Sequence, residues 1–302
     1  MNVFYGFEGI ASLPGSVVAI GVFDGVHLGH QALIRRAVER ARALELSAVV
    51  ITFDAHPLEV LRPEEAPKYL CSLGARLERI GQLGVDHAVV VKFDQAFARL
   101  EAEEFVETCL RGRLSAQVVV CGSDFRFGAR RTGDIETIKK VGIEVDVVED
   151  LGLSECARVS SSAIRRLVAQ GSVDEARRQL GWPVEWIGTV VRGAGNGRKL
   201  GWPTANLVAA GRLQTPGDGV YAGEAMVDGV LYKAAISVGH RPMFPDQPPT
   251  VEAFLLNFDD ANLYGRAMVV RFYERLRDQM KFGDLDELRA QIGRDVDAVR
   301  AL

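Results

Sequence analysis

No two of the four cysteines, Cys71, Cys109, Cys121 and Cys156, stand in a CxxC pair, and nothing in their scatter asks for an oxidising compartment. Cys121 ends an apolar run and reads as a buried thiol. No apolar run approaches the ~20 residues of a membrane span. The first residues, MNVFYGFEGIASLPG, lack a basic start followed by a long apolar stretch, so no signal peptide is expected and the chain is assigned to the cytoplasm. The formal net charge of -4 supplies no global positive field and comes without a basic stripe, which argues against nucleic-acid and membrane partners. Neither an internal repeat nor a low-complexity tract is present.

What is present fits two ordinary globular domains: 302 residues, 48% apolar and 25% charged, enough for two cores and too ordered for a disordered chain. In the first half, short Val-rich runs at 17–20, 48–53, 88–91, 118–120 and 145–148 alternate with helical patterns such as 31–44, 75–83 and 103–110. That alternation predicts a parallel sheet with helices on both faces, a Rossmann-like α/β domain. Ligands of such sheets sit beyond the carboxyl ends of the strands, where the strand order reverses. From residue 184 the pattern changes to strand-like runs at 184–192, 219–227, 231–238 and 251–258 joined by Gly- and Pro-containing loops. These predict a small antiparallel β-barrel. The stretch 285–302 closes the chain as a helix, with Leu285, Leu288, Ile292, Val296 and Val299 at spacings of three and four. Residues 172–182 read as a bridge, which divides the chain into domains 1–182 and 183–302.

The first run leads into Gly21-Val22-Phe23-Asp24-Gly25-Val26-His27-Leu28-Gly29-His30 and then a helix. Glycines let backbone come close to a ligand, and a helix start directs N–H groups and positive dipole toward phosphate. His27 and His30 can both face one anion and donate to developing negative charge. A metal on the same pair would find only Asp24 as a further ligand nearby. The loop therefore reads as a nucleotide triphosphate site. Three further segments follow in order: Thr52-Phe53-Asp54-Ala55-His56-Pro57, Gly122-Ser123-Asp124-Phe125-Arg126-Phe127-Gly128 and Ser160-Ser161-Ser162-Ala163-Ile164-Arg165. This set resembles the signature of prokaryotic FAD synthetases, within the HxGH nucleotidylyltransferases. The resemblance implies that Gly21, Phe23, Asp24 and Gly29 line an ATP site and that His27 and His30 hold its phosphates. It implies further phosphate contacts from Ser161, Ser162 and Arg165, and a flavin and nucleotide pocket at His56, Asp124, Phe125 and Arg126. Ser162 stands where the family usually has Thr, and Ala55 where it has Pro.

The second half carries Gly193-Ala194-Gly195-Asn196-Gly197-Arg198-Lys199-Leu200-Gly201-Trp202-Pro203-Thr204-Ala205-Asn206. It matches neither GxGxxG nor the Walker A pattern. Its glycines with Arg198 and Lys199 make a positively charged loop able to wrap phosphate. Thr204 and Asn206 alternate, so in an extended segment both face one side, where two neutral oxygens suit Mg²⁺. GRKLGWPTAN resembles the riboflavin kinase signature. The matching continues through Gly219-Val220-Tyr221-Ala222, Gly239-His240-Arg241-Pro242, Val251-Glu252 and Leu276-Arg277-Asp278-Gln279-Met280-Lys281-Phe282. The resemblance implies Glu252 as the general base, a kinase ATP site at Gly193, Gly195, Arg198, Lys199, Thr204 and Asn206, and flavin contacts from Arg277, Gln279 and Phe282. Ser237, Met243 and Gln279 depart from the family's usual Asn, Thr and Glu.

The two resemblances together imply a bifunctional enzyme that phosphorylates riboflavin to FMN and adenylylates FMN to FAD. Riboflavin, FMN and ATP would be its small-molecule partners and Mg²⁺ its metal; self-association is not readable from the sequence. The competing readings are a chain with one active domain and a flavin-binding protein without turnover.

Overall fold

A computed structural model describes residues 1–10, 13–149, 159–193, 195, 197, 200–240, 249–259 and 262–302. Cys156, Arg198, Lys199 and Met243 lie outside the described residues. Contacts gather the chain into two units, Met1–Pro67 with Leu73–Ser160, and Lys68–Ser72 with Ser161–Leu302.

The first unit is built on the Val-rich runs. Its strands are β1 (Asn2–Tyr5), β2 (Ser16–Ile20), β3 (Ser47–Phe53), β4 (His87–Val91), β5 (Ala116–Gly122) and β6 (Glu144–Val148). They form one sheet in the order β1-β4-β3-β2-β5-β6, every neighbouring pair parallel. β2 is buried at every residue, whereas the edge strands β1 and β6 are partly exposed. The period-two alternation feeds two cores. Val18, Ile20, Ile51, Val89 and Val119 face one, with Phe105, Val106 and Leu110. Val17, Ala19, Val50 and Val118 face the other, with Ile34, Ala37 and Ile80.

The helices of this unit are α1 (Leu28–Ala43), α2 (Pro57–Leu61), α3 (Leu73–Gln82), α4 (Ala102–Glu104) and α5 (Ile135–Lys139). α4 runs directly into a π-helical stretch, Phe105–Arg113. α1 begins three residues before the apolar periodicity does, because the ring of His27 caps it by accepting from the His30 amide.

The second unit starts with α6 (Ser161–Gln170) and α7 (Val173–Leu180), then β7 (Val184–Val191), β8 (Ala205–Ala209), β9 (Gly219–Val227), β10 (Val230–Gly239), β11 (Thr250–Leu255) and β12 (Ala267–Arg277), and ends with α8 (Leu285–Ala301). The strands close into an antiparallel barrel, β10-β11-β8-β7-β12-β9. The β9–β10 hairpin turns on Asp228 and Gly229, with φ of 51° and 82°, as a two-residue primed turn requires. α8 docks through Val296, Val299 and Ile292 in one cluster with Ala222, Leu256, Trp202 and Phe254. β12 buries Met268, Val270 and Phe272, and from Arg271 onward charged residues intervene. Those intervening charges hide it from a search for apolar runs.

The segment expected to bridge the halves is the helix α7, and it packs on β7 and β12. Val173 and Ala176 are fully buried and Leu180 nearly so. The contacts thus divide the chain at Ser160/Ser161, and they bring 68–72 to the barrel through Tyr69, which pairs with the Arg212–Gln214 segment by two backbone hydrogen bonds of 2.7 Å. Burying a Val or Leu side chain stabilises by about 1.5–3 kcal/mol. A fragment from Ser161 to Leu302 is therefore expected to melt cooperatively and at higher temperature than one from Val184 to Leu302. Scanning calorimetry of the two fragments checks this, and equal melting temperatures would remove α7 from the folding unit.

Candidate functional sites

The order β3-β2-β5 places the switch point of the first sheet between β2 and β5, since the chain runs outward on one side of β2 and then returns to pair β5 on the other. Crevices for ligands open beyond strand carboxyl ends at such points. The loop after β2 carries residues 21–27 and the loop after β5 carries residues 123–128, so the topology brings the two principal motifs side by side.

The 21–27 loop is strained. Phe23, Gly25 and Val26 adopt φ of 52°, 78° and 46°, and for a β-branched residue such as Val26 that region costs on the order of 1–3 kcal/mol. Asp24 sits buried in the turn. His27 is also buried, and its ring stacks on His30 with centroids 3.5 Å apart, while the His30 ring meets Phe23 edge-on at 5.3 Å. The Nδ1 of His27 accepts from the His30 amide at 3.4 Å. A neutral ring used that way carries its proton on Nε2, which makes Nε2 a donor. Gly29 packs closely here: a Cβ would lie 3.3 Å from Cε1 of the His27 ring. Gly21 ends the strand against the ring of Phe23.

Beyond β5, Asp124 and Arg126 are exposed and Phe125 stacks on Phe127 at 5.4 Å. Arg126 pairs with Asp134 at 2.7 Å; the Thr137 amide and this guanidinium hold the Asp134 carboxyl below its ordinary range. His56 has a local task, its Nδ1 accepting from the Leu58 amide at 3.2 Å to start α2. Ser161, Ser162 and Arg165 stand at the start of α6, in the second unit, where Arg165 donates to the Lys68 carbonyl at 2.7 Å. Their assignment to phosphate rests on the motif. Motif reading missed a ladder of rings, Phe53, Phe93, Phe97, Phe105 and Phe127, in contact at centroid distances of 5.5–6.1 Å. It offers an apolar wall near the ends of β3, β4 and β5. Scattered through the sequence, these rings have no spacing signal.

In the second unit, strand register assembles the site. Asn206 on β8 is paired with Val191 on β7 and with Glu252 on β11, and Glu252 is paired with Ser237 on β10. Their neighbours Leu207, Val251, Ala253, Ile236 and Val238 are buried, so Asn206, Glu252 and Ser237 form a row on the barrel's outer face. The Thr204 hydroxyl donates to the Glu252 carboxylate at 3.1 Å. Gly193 lies against this row so closely that a Cβ would collide with the Asn206 amide. Gly195 has a φ of 70°.

Arg277, expected at a flavin, is engaged within the protein. Its Nη2 donates to Asp295 at 2.7 Å and its Nε to both carboxylate oxygens at 3.0 and 3.1 Å. Gln291 adds a donor to Asp295 at 2.8 Å, and Phe282 lies under the guanidinium at 5.9 Å. The pair clamps α8 to the end of β12. Gln279 donates to the Ser237 hydroxyl and the Val238 carbonyl, both at 2.9 Å, and so borders the Glu252 row.

Comparison with known proteins gives one answer for each half. The family model described as FAD synthetase matches residues 10–163, and that described as riboflavin kinase matches residues 180–302. A curated relative from Escherichia coli strain K12, a bifunctional riboflavin kinase/FMN adenylyltransferase, is 36% identical over 301 residues, covering 98% of this chain and 96% of the relative. One of the same description from Bacillus subtilis strain 168 is 36% identical and covers 93% of this chain and 90% of the relative. A crystal structure described as a macrolide-efflux protein from Streptococcus pneumoniae is similar over 99% of this chain and 98% of its own, at a TM-score of 0.89 and 32% identity. Among the described residues of the present chain, no helix is long and apolar enough to cross a membrane.

Proposed function

The chain belongs to the family of bifunctional riboflavin kinase/FMN adenylyltransferases, and we propose that it runs its two reactions at the two sites described above. It phosphorylates riboflavin to FMN and adenylylates FMN to FAD. Adenylyl transfer is assigned to the β2–β5 crevice. There an FMN phosphate oxygen attacks the α-phosphorus of ATP, the bond to the bridging oxygen breaks, and pyrophosphate leaves. Little covalent work falls to the protein, so catalysis is positioning and stabilisation of phosphate charge. The donor Nε2 of His27, with His30 stacked on it, supports that role. The stacked rings of Phe125 and Phe127 support a flat ring binding beside Asp124 and Arg126.

Phosphoryl transfer is assigned to the barrel row, and the Thr204 hydroxyl bonded to Glu252 carries this reading. Glu252 takes the proton of the riboflavin 5′-hydroxyl as that oxygen attacks the γ-phosphorus of ATP and ADP departs. General-base assistance of this kind contributes about 10²–10⁴-fold. Among the described residues no cluster of three His, Cys, Asp or Glu gathers. The hard oxygens of Thr204 and Asn206 fit a Mg²⁺ that arrives with the nucleotide. When bound, such an ion neutralises phosphate charge. Arg198 and Lys199 are proposed to add positive charge to the same nucleotide, while the observed contacts of Arg277 favour a positioning role for that residue. Domains 1–182 and 183–302 remain the proposed division of activity, with α6 and α7 supporting the barrel.

The two sites make each other's controls. In His27→Ala or His30→Ala, FAD formation from FMN is expected to be lost while riboflavin is still converted to FMN at the parent rate. Chromatography of the flavins after incubation with Mg²⁺-ATP reads both activities, and parallel loss of the two would contradict separate sites.

Glu252→Gln is expected to give the reverse: FMN formation reduced by about 10²-fold or more, with FAD still made from supplied FMN. Retention of most of the kinase rate would leave Glu252 without a role as base.

A further inference from the structure

The strained loop after β2 is held from behind by three buried polar side chains, each from a different element. The Thr52 hydroxyl at the end of β3 donates to the Val22 carbonyl at 3.0 Å. The Arg79 guanidinium of α3 donates to the Gly25 carbonyl at 3.4 Å. The Gln31 amide of α1 donates to the Val26 carbonyl at 2.9 Å. All three are deeply buried, at 0%, 5% and 3% exposure. Behind them Arg76, 1% exposed, donates to the Thr52 hydroxyl at 3.3 Å and to the Phe53 carbonyl at 2.8 Å.

Burying donors from three elements under one turn is costly unless each is satisfied, and here the loop carbonyls help to satisfy them. The consequence is directional. None of the described peptide bonds is cis, and in a trans peptide the C=O and the following N–H point opposite ways. Carbonyls 22 and 26 drawn inward therefore turn the N–H groups of Phe23 and His27 away from the buried donors. A loop with its carbonyls exposed would instead present partial negative charge to a triphosphate. The same contacts maintain the positive φ of Phe23 and Val26, which neither residue adopts unaided.

We propose that Thr52, Arg79 and Gln31 are positioning residues for adenylyl transfer, holding the loop carbonyls inward so that the Phe23 and His27 amides and the His27 ring meet the nucleotide phosphates. This rests on the assignment of that reaction to the β2–β5 crevice. All three are too deeply buried to face a bound nucleotide directly. Their effect runs through the geometry of residues 22–27, where a displacement of 1 Å is worth about 10²-fold in rate.

The test uses the full chain with FMN and Mg²⁺-ATP, and compares Thr52→Val with Thr52→Ser. Valine keeps the volume and removes the donor; serine keeps the donor. The expected result is a fall in kcat for FAD formation of about 10²-fold in Thr52→Val, larger than any change in KM, with most of the rate restored in Thr52→Ser. Riboflavin phosphorylation and a cooperative melt on the same samples report the integrity of the chain. Gln31→Glu is the second variant, to be read where Thr52→Val does not fold. It retains an acceptor for the Arg35 guanidinium, which Gln31 meets at 3.0 Å, but faces the Val26 carbonyl with an oxygen, and the same loss of kcat is expected. Folded Thr52→Val and Gln31→Glu chains that make FAD at the parent kcat would overturn the proposal alone. A parent chain that makes no FAD would overturn the assignment beneath it.

Discussion

Parallel pairing of β2 with β5 is the constraint on which the first unit depends. The two strands are separated by nearly a hundred residues, yet their register, Val17 with Val118 through Ala19 with Val120, fixes where two loops emerge. β2 is buried throughout and flanked on both edges. A slip by one residue would turn every side chain to the wrong core. With the strand immobile, its end becomes a fixed point from which residues 21–27 can be bent into conformations they would not otherwise keep. The strain is local, and the donors that hold it come from β3, α1 and α3. The geometry of this loop is thus a property of the sheet and its covering helices together.

The barrel solves the same problem by register alone. Asn206, Glu252 and Ser237 lie far apart in sequence and come from three strands, but antiparallel pairing sets them in one row. Closure leaves no free edge along which the strands could slide. The segment between β12 and α8 then borders the row, tied by Gln279 to β10 and by Arg277 to Asp295 on α8. That ion pair is largely buried, and pairs of this kind are costly to break rather than large sources of stability. Its evident effect is to fix the approach of α8 and with it the path of residues 278–284.

Much of this was legible beforehand. The Val-rich runs correspond to β2–β6, the change of pattern near 184 to the barrel, and the spaced apolar residues after 285 to α8. β1 was too short and exposed to register, and β12 carries too many charges on its outer side. α7 looked like a linker because its apolar stripe is only Val173, Ala176 and Leu180 among polar residues. Arg76 and Arg79 share the buried face of α3 with Leu77 and Ile80, which no motif signals. A helix position says which face a residue is on, but whether that face meets water or the underside of a loop depends on its neighbours.

Local spacing and side-chain chemistry, which no packing alters, already carried the secondary-structure periods, the two-part organisation and the motif residues. The motifs set His27 beside His30 and Thr204 beside Asn206 and left Glu252 unjoined. Packing did the joining: Thr204 reaches Glu252, Arg277 is committed to Asp295, and buried donors from β3 and α3 grip the strained loop. Each is a contact between elements whose meeting depends on strand order, register and helix docking. Those are set by burying apolar faces across the whole unit, and no local stretch of sequence contains that information.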